Sequence, residues 1–125
     1  MFHFCYGDSN HRHVVEPTDM SDMVAMANRL GQGMARSIEL IHMPVPRNRT
    51  DDAYFAPLKG LKLKPGTQLC LGLVHHTDGV EGTRRRLAAA ERVVADFSIA
   101  TECGFGRRRP ETIAELLRIH AEAAG

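Results

Sequence analysis

Short apolar runs alternate with amphipathic segments along this chain. Four runs have the length and apolar content of buried strands, and each is followed by glycine, proline or polar residues that suit a loop. The predicted strands are Phe2 to Tyr6, Ser37 to His42, Gln68 to His75 and Phe97 to Cys103. Because helical segments separate them, the pattern predicts parallel strands joined by helical crossovers.

Apolar residues at helical spacing predict a helix after the first, third and fourth strands. The first helix follows the capping sequence Pro17-Thr18-Asp19 and ends near Gly31. Thr83 is expected to cap the second helix, and Pro110 suits the first turn of the last one. The predicted core faces are Met20, Met23, Val24, Ala27 and Leu30; then Leu87, Ala90 and Val94; then Ile113, Leu116, Leu117 and His120.

The connection after the second strand is different. The segment from Arg47 to Leu58 is stiffened by Pro44, Pro46 and Pro57. Proline restricts the backbone and removes an N–H donor, so we expect a long loop with a short helix at best.

Four strand–helix units are half of a (β/α)8 barrel, which needs about 250 residues, whereas this chain has 125. We therefore predict an α/β fold in which residues 1–125 form a single partial barrel domain. A half barrel leaves two sheet edges and an interior face uncovered. The chain is thus expected to be a segment of a longer one, or a protomer that pairs with a second copy as a homodimer.

Composition narrows the functional classes. Sixteen basic and fifteen acidic residues leave almost no net charge, which argues against a nucleic-acid partner or a membrane surface bound by bulk electrostatics. No apolar run is long enough to span a bilayer, and the N-terminus does not resemble a signal peptide. We therefore expect a cytoplasmic protein. Three cysteines favour reduced thiols, buried or bound to a metal, over a disulfide framework.

A histidine and two cysteines stand where predicted strands end. Side chains alternate along a strand, so His3 and Cys5 project to the same face, and Cys103 would join them if its strand is a neighbour. One imidazole and two thiolates form a zinc ligand set that leaves a fourth position open. The alternative is that both cysteines are small buried hydrophobes, and Cys70, in an apolar strand, is expected to be core.

Parallel α/β proteins place their chemistry at the carboxyl ends of the strands. His42 and His75 also fall at predicted strand ends, as His3, Cys5 and Cys103 do.

These residues resemble the motifs of a known family. His3-Phe4-Cys5-Tyr6 is similar to the His-x-Cys zinc motif of cobalamin-independent methionine synthases, and Glu102-Cys103-Gly104 is similar to their later Asp-Cys-Gly. By element order, all 125 residues resemble the C-terminal half of that family's catalytic barrel, within the superfamily that includes uroporphyrinogen decarboxylase. Only the two motifs are specific.

The resemblance implies zinc held by His3, Cys5, Cys103 and a further ligand, either Glu39, which is slightly favoured, or His42. It also implies methyl transfer to a small-molecule thiol from a donor such as methyltetrahydrofolate. The substrate sulfur would attack the methyl group.

A histidine after a later strand would protonate the leaving nitrogen, and His75 is the nearest match, with His76 as its alternative. Asp78 is expected to orient the His75 imidazole.

Two arginine triplets remain. Arg107 and Arg108 lie just before the last helix and could hold a carboxylate or polyglutamate tail, with ordinary surface charge as the alternative. The triplet from Arg84 to Arg86 is expected to be a solvated helix face.

Two other functions stay open: a metal-free decarboxylase-like relative that uses arginines on substrate carboxylates, and a non-catalytic remnant that binds zinc.

Overall fold

A computed structural model describes residues 1–10 and 12–125 of the protein. These residues form a four-stranded sheet in the order β1-β2-β3-β4, with every neighbouring pair parallel. The strands are β1 Phe2–His3, β2 Leu40–Pro44, β3 Gln68–Val74 and β4 Phe97–Thr101. The mixed α/β fold and the parallel sheet confirm the prediction at that level. The sequential strand order is also that of successive barrel strands, and the half barrel itself stays a prediction.

Helices connect the strands and follow the last one. They are α1 Ser21–Gly33, α2 Asp52–Phe55, α3 Gly79–Glu91 and α4 Ile113–Ala124, with 3₁₀ helices at Ala56–Gly60, Phe105–Arg107 and Pro110–Thr112. The segment after β2 is a loop with a short helix, as predicted. No helix in the described ranges combines the length and the apolar character needed to cross a bilayer.

Two details of the helices differ from the predictions. The helix after β3, which is α3, begins at Gly79. Thr83 is therefore buried inside this helix and does not cap it. In the last helix Leu117 is 56 % exposed, because the buried face consists of Leu116, Ile119 and Ala123. Neighbouring residues on a helix point about 100° apart, so Leu116 and Leu117 cannot both face the core.

The main core lies between one face of the sheet and the helices. Ile41, Met43 and Leu71 on this face are fully buried in one cluster with Leu116 and Ile119 of α4. The methionine-rich face of α1 also belongs to this cluster, as predicted. Full burial of a side chain of this size contributes about 1.5–3 kcal/mol.

The other face carries the residues that matter for the site. The strand register puts His3, His42, Cys70 and Ser98 side by side in one row across the sheet. Cys70 is buried, as predicted, but within this row. The register between β3 and β4 shifts between Leu71 and Val74, which marks an irregularity at the carboxyl end of β3.

Arg86 is fully buried, so the expectation that its triplet is wholly solvated is wrong. Its guanidinium donates to the backbone carbonyls of Leu73 and Arg47. It also forms a bidentate ion pair with the Asp78 carboxylate. A buried charge persists only when it is paired and hydrogen-bonded, and here every contact lies at the carboxyl edge of the sheet. Arg86 therefore ties the loops after β2 and β3 to α3.

We expect Arg86→Met to lower the free energy of unfolding by about 3–5 kcal/mol, because it leaves the Asp78 carboxylate and two carbonyls without their donor. Urea denaturation at pH 7 measures this loss. Arg85→Met is the matched control, since Arg85 is exposed on the same helix, and it should change stability by no more than about 0.5 kcal/mol. Equal effects of the two substitutions would contradict the assignment.

The same ion pair predicts a dependence on pH. Burial raises the pKa of Asp78, but the hydrogen bonds and charge of Arg86 outweigh it and hold the pKa below its ordinary value of 3.8. A lowered folded pKa means that ionised Asp78 stabilises the fold fully above the ordinary value, and that this contribution is lost as pH falls through the folded value. The stability difference between wild type and Asp78→Asn should thus be constant near neutral pH and shrink below about pH 4. Urea denaturation across this range measures the difference, and repeating it in an Arg86→Met background should abolish the effect.

Candidate metal centre

The loops that follow the four strands surround an open cleft of about 820 Å³ at the carboxyl edge of the sheet. Each loop contributes to its wall: Cys5 after β1, Pro46 after β2, His75 after β3 and Cys103 after β4. This is the edge at which parallel sheets place ligands.

His3, Cys5 and Cys103 converge beside this cleft. One ligand atom from each of the three lies within 4.8 Å of the others, as the sequence predicted. Both cysteines are free thiols, with Cys5 exposed and Cys103 half-buried. Burial and the neighbouring Cys5 sulfur raise the pKa of Cys103 to about 11. Two thiols this close cannot both ionise readily without a cation between them.

The donor set fits a zinc ion. Two thiolates and one imidazole are soft and borderline ligands that Zn²⁺ accepts, and three protein ligands leave a position for a substrate. Because Cys5 and Cys103 line the cleft, that position is accessible from it. The described residues thus include a site that could hold a metal ion.

Convergence of these residues requires a strongly curved sheet. Neighbouring strands lie about 4.8 Å apart, so β1 and β4 would be on the order of 14 Å apart in a flat sheet. Cys5 and Cys103 each lie two residues beyond the end of an outer strand. The Thr101 hydroxyl donates to the backbone carbonyl of Cys103, which closes a tight turn after β4.

His42 joins the cluster to β4. Its Nε2 lies 3.0 Å from the backbone carbonyl of Thr101, and its Nδ1 lies 2.6 Å from Nδ1 of His3. The ring planes differ by 16° and the centroids are 4.8 Å apart. Because the centroids are much farther apart than the two nitrogens, the rings lie side by side. Burial, with the nearby His3, lowers the pKa of His42.

Gly72 makes room for this arrangement. A Cβ atom there would lie 2.8 Å from Nε2 of His42 and 2.9 Å from the Thr101 carbonyl oxygen. Real side chains do not tolerate such approaches, so only glycine lets His42 reach across β3 to β4.

The structure does not bring Glu39 to the metal ligands. Glu39 is exposed and precedes β2, and it lines a separate shallow depression with Met1 and Phe2. That depression is at the amino end of the strands, the opposite edge from Cys103, so the preference for Glu39 as a ligand is not supported. His42 lies against His3, but each of its ring nitrogens already faces another partner.

His75 lines the cleft, but its surroundings differ from the predicted ones. Nε2 of His75 donates to the Val45 carbonyl at 2.7 Å. Burial lowers the pKa of His75 to about 4, so the ring is neutral at pH 7. Asp78 bonds to Arg86, so the prediction that it orients the His75 ring is wrong. The buried guanidinium outcompetes a neutral imidazole for the carboxylate.

The arginines after β4 divide into two kinds. Arg107 and Arg108 both line the cleft. Arg107 forms an ion pair with Asp8, whereas Arg108 is half-buried. Burial raises the pKa of Glu102, which lines the same cleft, and the charge of Arg108 acts in the opposite direction to lower it.

Sequence reasoning missed the imidazole of His13, which also lines the cleft. Nε2 of His13 lies 2.8 Å from Glu102, and its Nδ1 lies 3.1 Å from Glu16. Burial lowers the pKa of His13, but the two carboxylates outweigh it and leave the pKa above its ordinary value. Burial also raises the pKa of Glu102 despite the nearby His13. The only sequence signal was the position of Glu102 beside Cys103 at a strand end.

A search of protein-family models and a search of curated proteins each found no match for this sequence.

Gly72→Ala should destabilise the protein by about 1–3 kcal/mol, because the added methyl group overpacks the contact between His42 and Thr101. Urea denaturation measures the loss. Gly60→Ala is the control, since a Cβ there meets nothing within 4 Å, and it should be nearly neutral. If both variants were equally stable, the close approach at Gly72 would be refuted.

Proposed function

We propose that the protein is a zinc-dependent, methionine synthase-like methyltransferase that moves a methyl group onto a substrate thiol. The observation that supports this most is the convergence of His3, Cys5 and Cys103 from opposite ends of the chain. The same residues carry the resemblance to the cobalamin-independent methionine synthases. The sequential parallel sheet is what half of that family's barrel would have.

Zinc bound by these three residues would lower the pKa of a substrate thiol, which is otherwise about 8.5, and so make the thiolate available at neutral pH. The thiolate electron pair then forms the new sulfur–carbon bond. The carbon–nitrogen bond of the donor breaks, its electrons stay on nitrogen, and that nitrogen takes a proton. The thiol proton is released to solvent.

The cleft supplies groups for the rest of this reaction. We place His13 as the proton carrier, because it lies between two carboxylates and has a raised pKa. His75 lines the cleft as a neutral imidazole, and because its Nε2 donates to Val45, its Nδ1 is able to accept a hydrogen bond from a ligand. Arg108 is placed to hold a carboxylate of the donor or the thiol substrate, and Arg107 is already paired with Asp8.

Zinc titration of the metal-free protein, in competition with a chromophoric chelator, tests the metal site. We expect one zinc ion per chain, and X-ray absorption at the zinc edge should count two sulfur ligands. Cys103→Ser should weaken binding by more than about 100-fold, since even residues that merely support ligands contribute about 10–100-fold. Cys70→Ala is the control and should keep wild-type affinity, because Cys70 is buried in β3. Absence of tight zinc binding in wild type would refute the proposal.

A methyl-transfer assay tests the chemistry. The zinc-loaded protein is incubated with methyltetrahydrofolate and a panel of small thiols, and the thioether is detected by mass spectrometry. Loss of the product in Cys103→Ser but not in Cys70→Ala would support the proposal. Full zinc occupancy with no methylation from folate or corrinoid donors would favour the non-catalytic zinc protein. Metal-independent release of CO₂ from a carboxylated substrate would favour the decarboxylase-like alternative.

A further inference from the structure

His42 connects His3 to the backbone of β4 through both of its ring nitrogens. Nε2 of His42 lies 3.0 Å from the Thr101 carbonyl oxygen. A carbonyl oxygen can only accept a hydrogen bond, so Nε2 carries the proton. At pH 8, above the ordinary imidazole pKa of about 6.5, a neutral ring has one N–H, and Nδ1 of His42 is therefore an acceptor.

The acceptor on His42 decides the tautomer of His3. The two Nδ1 atoms are 2.6 Å apart, and a contact this short needs one proton between them. Because Nδ1 of His42 has none, Nδ1 of His3 is the donor. His3 is then left with an unprotonated Nε2, whose lone pair can bind a cation.

We propose that His42 is a positioning residue that holds His3 in its Nδ1–H tautomer, with Nε2 presented as the metal ligand. This inference rests on the metal site of the proposed function. Metal-binding histidines generally donate their second N–H to a fixed acceptor, which sets the ring orientation and raises the basicity of the ligand nitrogen. In this protein the acceptor is another imidazole, itself fixed by the Thr101 carbonyl.

Two contacts argue that His42 supports the metal ligand and does not bind the metal itself. Its nitrogens already face His3 and Thr101, and Gly72 leaves space for Nε2 only against the strand backbone. His42 is also only 8 % exposed, whereas His3 is exposed.

Histidine tautomers are read directly from long-range ¹H–¹⁵N spectra of protein labelled with ¹⁵N-histidine. At pH 8 without metal, we expect the Nδ1–H pattern for His3 and the Nε2–H pattern for His42. His120 and His75 are internal references, because His120 donates from Nδ1 to Leu116 and His75 donates from Nε2 to Val45. An Nε2–H pattern for His3 would overturn the proposal.

Zinc affinity of variants provides the second test. His42→Phe keeps an aromatic ring but removes both hydrogen bonds, and it should weaken zinc binding about 10–100-fold. His42→Gln, whose amide can both accept from His3 and donate to Thr101, should recover part of this loss. His120→Phe is the control, since His120 lies on α4 against Phe105, and its affinity should equal that of wild type.

The two proposals fail in different ways. If wild type binds zinc tightly but His42→Phe binds it equally well, or if ¹⁵N shifts show His42 coordinated to zinc, the positioning role is wrong and the metal site stands. If the tautomers are as expected but no zinc binds, the proposed function fails. Should His42→Phe not fold, the spectra of the wild-type protein still test the tautomer of His3.

Discussion

The candidate site depends on one constraint, which is that the outer strands of a four-stranded sheet must end close together. The side chains that converge come from β1 and from the loops that follow β1 and β4, and two other strands separate these outer strands. The sheet face that carries them has small residues on β3 and β4, namely Cys70, Gly72, Ser98 and Ala100. Small side chains let this face become concave, and the hydrogen bond from His42 to Thr101 passes over Gly72 of β3.

The loops after β2 and β3 are held in a comparable way by Arg86. Its guanidinium bonds to a carbonyl at the end of β3 and to another in the loop after β2, and Asp78 balances its charge. One carbonyl of β3 and one in the loop after β2 are therefore satisfied by a single buried side chain. The cost of burying the guanidinium is offset because it makes four hydrogen bonds with two carbonyls and one carboxylate.

The distance along the chain between two contacting residues decides how far their contact could be predicted from the sequence. Strands and helices were located by local apolar spacing, and the meeting of Cys103 with His3 followed from a general rule about parallel strand ends. The bond between His42 and Thr101 joins residues 59 positions apart and depends on sheet curvature, which no local pattern encodes.

The arginine triplet on α3 shows a second limit. Its three members are identical in the sequence, and only the packing of α3 against β3 decides that Arg86 is buried while Arg84 and Arg85 are exposed. Asp78 lies eight residues before Arg86, at the start of the same helix. The buried guanidinium therefore became the partner of the Asp78 carboxylate. For this reason Asp78 does not orient the His75 imidazole as expected.

His13 and His75, two of the imidazoles that line the cleft, have environments that shift their pKa values in opposite directions. His75, on the β3 side, is buried and faces the charges of Arg86 and Arg108, so it is neutral at pH 7. His13, on the β1 side, lies between Glu102 and Glu16 and holds a proton more readily. Titratable groups separated in this way mark acid and base positions in active sites. A ligand that spans the cleft would therefore meet a neutral imidazole at His75 and a more readily protonated one at His13.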